Sequence, residues 1–435
     1  MLKSIGSAIE KINELSKTKK IRIISHYDTD GITSAAIFTR ALQRWNKPFI
    51  LQIVKNLDRE FIKSLPNDLL IFLDLASNSL EYLKEKENVF IFDHHEIIQE
   101  IPKNITIINP LLFNQESMSS SGIVYLVAKK ISEQNKDLAN LAVIGMIGDS
   151  LEKNIGKIFS EILKESETLI KKGLLLYPST RPLDRTLEYS SLYIPGVTGS
   201  YKGVLELLKD ANILKNNSEF KSLHELKEDE MSNLITALML RLPNKQNIHE
   251  LIGNIYLVKF FNKLEDAREL SALINACSRM DSPEISLGFC LGSKICKEKA
   301  EKIYIEYKQH LVAALRYVSE SNKISGKNYT IINAKDNIKD TIIGTIASII
   351  SHSPIYEEGT IIVALAYNQD KIKVSARMAG KPGRNIREIL NRVVVTLGGE
   401  VGGHPNAAGC LIPKEKEQEF ISELQKTLEI EIVKV

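Results

Sequence analysis

The stretch Ile21-Arg22-Ile23-Ile24-Ser25-His26-Tyr27-Asp28-Thr29-Asp30-Gly31 passes from an apolar run, through one imidazole and two carboxylates, into a helical pattern over residues 33–44. A short isoleucine-rich run ahead of a helix reads as a buried strand feeding a β–turn–α step. The runs at 49–54, 69–73, 89–92 and 105–108 repeat that theme. Strands alternating with helices predict an α/β fold, a parallel sheet with helices on both faces. In such sheets ligands gather at the carboxyl ends of the strands. The residues just after each run are therefore the ones expected to carry chemistry.

Those residues are acidic or imidazole-bearing. Asp74 follows Ile71-Phe72-Leu73, and Asp93-His94-His95-Glu96 follows the run at 89–92. Asp149 closes the apolar run 142–148 and reads as a further sheet-edge position. Each alone is equally a helix cap or a turn residue. Together they need compensation, because burying an unpaired carboxylate is costly. A divalent cation would offset the repulsion between Asp28 and Asp30 turned toward one pocket, and Gly31 is expected to relieve the backbone where the helix begins.

At 435 residues, with 43% hydrophobic and 26% charged residues, the chain is long enough for two or three globular domains. No apolar stretch reaches the roughly 18 residues of a membrane span. Residues 1–20 read as a lysine-rich amphipathic helix without an export-signal core, so a cytoplasmic location and no membrane partner are expected. Cys277, Cys290, Cys296 and Cys410 show no CxxC spacing and read as reduced packing residues. The net charge of +3 does not itself argue for nucleic acid. A local basic run does: Lys371, Lys373, Arg377, Lys381, Arg384, Arg387 and Arg392 stand against Glu388 alone, although a solvated helix face and turn would look the same.

The expected organisation is a catalytic α/β domain over 1–195, a helical insertion and connector over 196–325, and a smaller α/β domain over 326–435. Long lysine- and glutamate-rich patterns such as 297–321 mark the second. Apolar runs at 329–333, 360–367 and 371–376, ending in a glycine-rich loop at 397–409, mark the third. Two further segments stay open. Ser119-Ser120-Ser121-Gly122 suits a phosphate at a helix N-terminus or ordinary capping. Arg181-Pro182-Leu183-Asp184-Arg185 suits a substrate channel or a structural salt bridge.

His26-x-Asp28-x-Asp30-Gly31, Asp74, Asp93-His94-His95 and Gly148-Asp149 resemble, in order, motifs one to four of the DHH phosphoesterase superfamily. Gly402-Gly403-His404-Pro405-Asn406-Ala407-Ala408-Gly409 resembles the GGHxxAAG motif of the associated DHHA1 domain. Arg268-Glu269-Leu270 and Leu273-Ile274-Asn275-Ala276-Cys277-Ser278-Arg279 are similar to archaeal RecJ-like single-strand-specific exonucleases. The long middle region departs from the shorter nanoRNase branch, and its helices would serve a protein partner equally well.

The resemblance implies two divalent cations, with His26, Asp28 and Asp74 holding one and Asp30, Asp74, His94 and Asp149 the other. Asp74 bridges. Mixed imidazole and carboxylate ligation favours manganese, with magnesium, cobalt or zinc as alternatives. His95 would contact the scissile phosphate or protonate the leaving oxygen, and Asp93 would orient a neighbouring ligand. Gly402, Gly403, His404 and Asn406 would bring donors to a phosphate and Arg377 would hold a second one, in a cleft between the two α/β domains that selects a free end. The implied activity is a manganese-dependent exonuclease on single-stranded DNA or RNA, in replication or repair. The alternatives are a nanoRNase-like phosphodiesterase for short oligonucleotides, cyclic dinucleotides or 3'-phosphoadenosine phosphate, and a replisome scaffold partnered by GINS, a helicase or a nuclease. A pyrophosphatase of the same superfamily lacks the GGH motif.

Overall fold

In the computed structural model the chain forms two compact units, Met1–Tyr304 and Ile305–Val435. The structure describes residues 1–176, 178–190, 194–216, 219–242, 251–353, 355–380, 383–397, 399 and 401–433; Lys381 of the basic run lies outside them.

The first unit opens with α1 (Leu2–Leu15), β1 (Ile21–His26), α2 (Thr29–Arg44), β2 (Phe49–Val54), α3 (Arg59–Ser64), β3 (Leu69–Leu73), β4 (Val89–Phe92) and β5 (Ile105–Ile108). The strands make one wholly parallel sheet in the order β2-β1-β3-β4-β5. Every residue of β3 and β4 is buried, as central strands covered on both faces require. On one face Ile24, Leu70, Phe72 and Ile91 pack with Ile62 of α3 and with Leu80 and Leu83. Truncating Phe72 to alanine there would cost about 3–5 kcal/mol.

Against α2 lie α4 (Ser120–Ile131) and α5 (Ala139–Gly148). The run at 142–148, expected as a sheet-edge strand, is therefore the body of a helix. Six of its seven residues are buried, since α5 sits among α2, α4 and the later helix formed by Ala267–Arg279. A helix apolar on all sides has no polar stripe to reveal its period.

Next come α6 (Lys157–Glu165), β6 (Leu169–Leu174), α7 (Leu183–Glu188), α8 (Tyr201–Asp210), α9 (Glu228–Met239), β7 (Ile252–Phe260), β8 (Lys263–Asp266), α10 (Ala267–Arg279) and α11 (Pro283–Cys290). Strands β6, β7 and β8 form an antiparallel sheet, of which β7 and β8 lie inside the region expected to be helical. Its β7–β8 hairpin turns on Phe261 and Asn262, both at positive φ (49° and 60°). That is a two-residue turn without glycine, so the usual sequence signal is missing. Helix α12 (Lys294–Glu320) spans the boundary between the units.

The second unit contains β9 (Ile324–Gly326), β10 (Tyr329–Asn333), α13 (Asp340–Ser351), β11 (Ile361–Asn368), β12 (Lys371–Met378), α14 (Ile386–Val395), β13 (Val401–His404), β14 (Ala407–Pro413) and α15 (Glu417–Val433). Its sheet, ordered β13-β14-β12-β11-β10-β9, is mixed: β10 and β11 run parallel and the other neighbours antiparallel. Val363, Val374, Ile389, Val393, Phe420 and Leu424 belong to its core. The glycine-rich stretch expected as a loop is a hairpin. Gly402, Gly403 and His404 lie in β13, paired to β14. At Gly403 φ is +116° and a Cβ would sit 2.4 Å from the Ala407 carbonyl oxygen, so only glycine fits.

Among the described residues no helix is long and apolar enough to cross a membrane. All four cysteines are free.

Candidate metal centre

The end of β1 and the start of α2 deliver three donors, His26, Asp28 and Asp30. Asp28 caps α2, its Oδ1 accepting the Gly31 N–H at 3.0 Å. Ser25 Oγ donates to the Gly31 carbonyl at 2.7 Å, closing the turn. Glycine is needed at 31 because a Cβ would fall 2.2 Å from the His26 carbonyl oxygen. Close approach, rather than an unusual backbone angle, is the constraint. Asp30, on the first turn of α2, is 1% exposed and accepts the Ser120 and Ser121 amides at 2.6 and 2.9 Å. The α4 amides considered for a phosphate thus hold a carboxylate of the protein itself, as the positive end of a helix favours. Ser119 caps the same helix.

Asp74, directly after β3, is left-handed at φ +61°. Such a conformation is strained for a non-glycine residue and persists where its surroundings hold it. Its N–H donates to the Phe92 carbonyl at 3.0 Å and its Oδ1 accepts from Ser120 Oγ at 3.0 Å. Asp93, after β4, is fully buried and accepts from the amides of Ser77, His94 and His95 and from His95 Nδ1 at 2.7 Å. Asp149 caps the C-terminus of α5 rather than a strand.

The six expected ligands converge. His26 Nδ1 lies 3.1 Å from Asp28 Oδ2 and 3.3 Å from Asp74 Oδ2. His94 Nε2 lies 3.4 Å from Asp74 Oδ1, 3.4 Å from Asp149 Oδ2 and 4.0 Å from Asp30 Oδ2. Donor atoms of His26, Asp28 and Asp74 fall within 4.8 Å of one another, as do those of Asp30, His94 and Asp149, and those of Asp74, Asp93, His94 and His95.

The electrostatics show an excess of negative charge. Burial, then repulsion from Asp28 and Asp30, holds the Asp74 carboxyl well above the usual carboxylate range. Burial and Asp30 do the same to Asp149. Burial opposes the charge on His26, His94 and His95, but their carboxylate neighbours outweigh it and raise all three imidazoles. Asp93 is the opposite case: despite burial, its bonds from His95 and Ser77 hold it low. Asp149 Oδ2 is buried with no hydrogen bond among the described residues. Four crowded carboxylates, two imidazoles and an unsatisfied buried oxygen fit a pair of divalent cations.

The remaining sites divide. In the second unit, Arg377 lies within β12, not after it; its Nε donates to Ser348 Oγ at 2.9 Å and its Nη1 to the Ala376 carbonyl at 2.8 Å. Arg384 donates to the Leu428 and Asn328 carbonyls, so that residue of the basic run is bound up in structure. Gly402, Gly403, His404 and Asn406 are exposed at the hairpin end. Arg181 pairs with Glu265 and Glu269 at 4.0 and 3.6 Å, which is the salt-bridge account of that segment. A cavity of about 1050 Å³ lined by Arg40, Arg44, Lys259 and Phe261 includes none of the clustered donors. Ser120 as a holder of both Asp30 and Asp74 was legible only as a capping run.

Fold and site together define an α/β protein with an acidic, imidazole-bearing centre at the carboxyl edge of a parallel sheet. The chain belongs to the DHH/DHHA1 superfamily and has a RecJ-like fold: residues 20–146 match the DHH family N-terminal domain, 176–253 the DHH-CID domain and 326–429 the DHHA1 domain. It is 28% identical to protein MJ0831 of Methanocaldococcus jannaschii, across 97% of this chain and 98% of that one. It is 24% identical to the single-stranded-DNA-specific exonuclease RecJ of Haemophilus influenzae, over 92% of this chain and 65% of that protein. Among solved structures it resembles Thermus thermophilus RecJ in complex with Mn2+ (TM-score 0.61, 18% identity, 97% of this chain, 54% of that one). It also resembles CDC45 of Entamoeba histolytica (TM-score 0.65, 14% identity, 97% and 99%). The chain thus spans about half of the Thermus RecJ, and at these identities the structural likeness is one of fold.

Proposed function

We propose that this chain is a manganese-dependent phosphodiesterase that removes nucleotides from an end of single-stranded DNA or RNA. The observation that carries the reading is the convergence of His26, Asp28, Asp30, Asp74, His94 and Asp149 from four separate chain segments onto one half-buried, over-acidic cluster. The Haemophilus relative, named for single-stranded DNA, supports the substrate class.

In this reading His26, Asp28 and Asp74 hold one cation, and Asp30, His94 and Asp149 with Asp74 hold the other. Two divalent cations supply charge neutralisation at a phosphate and make water acidic enough to serve as nucleophile near neutral pH. The protein's own groups do the rest. Asp93 accepts from His95 Nδ1, which fixes the imidazole's tautomer and leaves Nε2 to meet the phosphate or the leaving oxygen. Ser120 steadies Asp30 through its amide and Asp74 through its hydroxyl, so the two carboxylates keep one spacing. Arg377, Gly402, Gly403, His404 and Asn406 are assigned to the substrate's phosphates, and binding should weaken as salt rises.

The test is incubation of DNA and RNA oligonucleotides, labelled at either end, with Mn2+, Mg2+ or Co2+. Stepwise shortening from one end supports the reading; a rate that falls as oligomers lengthen from two to about ten nucleotides supports the nanoRNase alternative. A scaffold for a replication or repair protein is the second reading, favoured by the overlap of fold with 99% of the CDC45 chain. It expects no hydrolysis under any of these conditions, whereas the intact donor set favours hydrolysis.

A further inference from the structure

The two aspartates of the β1–α2 turn are each held by something different. Asp28 is held locally, by the Gly31 amide, and Asp30 by the amides of α4. Between them stands Thr29, 1% exposed and the first residue of α2. A helix's first amides have no acceptor within the helix. The Thr29 N–H finds one 246 residues along the chain, in Asn275 Oδ1 of α10, at 3.1 Å. Thr29 Oγ1 donates to the Ser271 carbonyl, one turn earlier on α10, at 2.9 Å, and Ser271 Oγ approaches Thr29 Oγ1 at 3.3 Å.

The same face of α10 meets the end of α5. A Cβ at Gly148, the residue before Asp149, would fall 3.0 Å from Thr29 Cβ and 3.1 Å from Ser271 Oγ, so these three segments close on one another without a spare atom. Helix α10 therefore abuts the start of α2 and the end of α5, which carry Asp28, Asp30 and Asp149, and its Asn275 and Ser271 bond Thr29. We propose that Asn275 and Ser271 are positioning residues: by clamping Thr29 they set the spacing of Asp28 and Asp30, and through it metal affinity and turnover. This rests on the hydrolase reading for turnover, but not for metal affinity.

The experiment uses the full chain with Asn275→Ala and Asn275→Asp. It reads Mn2+ affinity by titration calorimetry, the melting temperature without metal, and kcat and KM on an end-labelled single-stranded oligonucleotide. Asn275→Ala is expected to weaken Mn2+ binding about tenfold or more and to lower kcat to match, with KM within about twofold, since partners that orient ligands typically matter by 10- to 100-fold. Asn275→Asp keeps an oxygen acceptor at the same reach and is expected to restore affinity to within about threefold of the parent. The proposal is overturned if Asn275→Ala binds Mn2+ as tightly as the parent, or if the alanine and aspartate variants are impaired equally. Should Asn275→Ala not fold, Thr29→Val decides: it deletes only the hydroxyl clamp, and an unchanged Mn2+ affinity overturns the claim. A parent that binds Mn2+ but cleaves nothing refutes the hydrolase reading while the affinity comparison still judges the clamp; a parent that binds no Mn2+ refutes both.

Discussion

The buried carboxylate Glu417 of the second unit and the clustered carboxylates of the first behave differently. Glu417 in the second unit is 8% exposed and accepts from Asn333 Nδ2 at 2.7 Å and Tyr367 Oη at 2.5 Å, so both oxygens are answered by the protein. Asp74 and Asp149 in the first unit are crowded by other acids, and Asp149 Oδ2 has no hydrogen bond among the described residues. A buried acid that its own fold satisfies is structural; one left with surplus charge is arranged for something that comes from outside. Asp93 shows that the distinction is not one of location. Only two residues from His95 and at the same sheet edge, it is saturated with donors and serves its neighbours.

The largest test of this contrast is Asp74→Ala, expected to lower kcat about a thousandfold or more while the protein stays folded. Activity within tenfold of the parent would break it. Next, Mn2+ at a hundred times its dissociation constant should stabilise the parent by about 2.7 kcal/mol, a rise of roughly 4 °C in the melting of the first unit. Glu417→Gln should leave that rise intact and Asp149→Ala should shrink it. Equal responses from the two variants would erase the difference between Glu417 and the clustered acids.

Asp93→Asn comes third. It removes the charge that holds His95, and kcat is expected to fall about 10- to 100-fold with Mn2+ affinity less affected; less than a twofold change would return His95 to a packing role. The smallest effect concerns the second unit alone. The Glu417 hydrogen bond, aided by burial, moves the Tyr367 hydroxyl from its ordinary 10.0 up to about 12. The folded form therefore keeps its proton where the unfolded chain loses it. That contribution is whole below pH 10 and is lost as pH rises toward 12. Tyr367→Phe should flatten this part of the alkaline melting profile, and an unaltered profile would sever the link.

How much was legible follows from the type of signal. The strand runs at 69–73 and 89–92 could be read because central parallel strands are apolar without interruption, and they match β3 and β4. The run at 142–148 carried the same signal and is a helix, because a helix enclosed on all sides is uninterrupted too. The β7–β8 hairpin escaped because Phe261 and Asn262 take positive φ without a glycine to announce it. The Ser119–Gly122 run was visible as a helix start, but its occupant, Asp30, was not, since the two lie 90 residues apart.

By itself the sequence determined the residue types and their order along the chain: acids and imidazoles placed at the ends of apolar runs, and the glycines that permit close backbone approach. Those are local properties, written in periodicity and in what each side chain can bond. Only the tertiary structure decided which acids are saturated and which keep surplus charge, because that depends on donors such as the Ser77 amide and Ser120 hydroxyl, brought in from distant segments by packing. Satisfaction of a buried charge belongs to the whole set of its neighbours, and no stretch of chain contains that set.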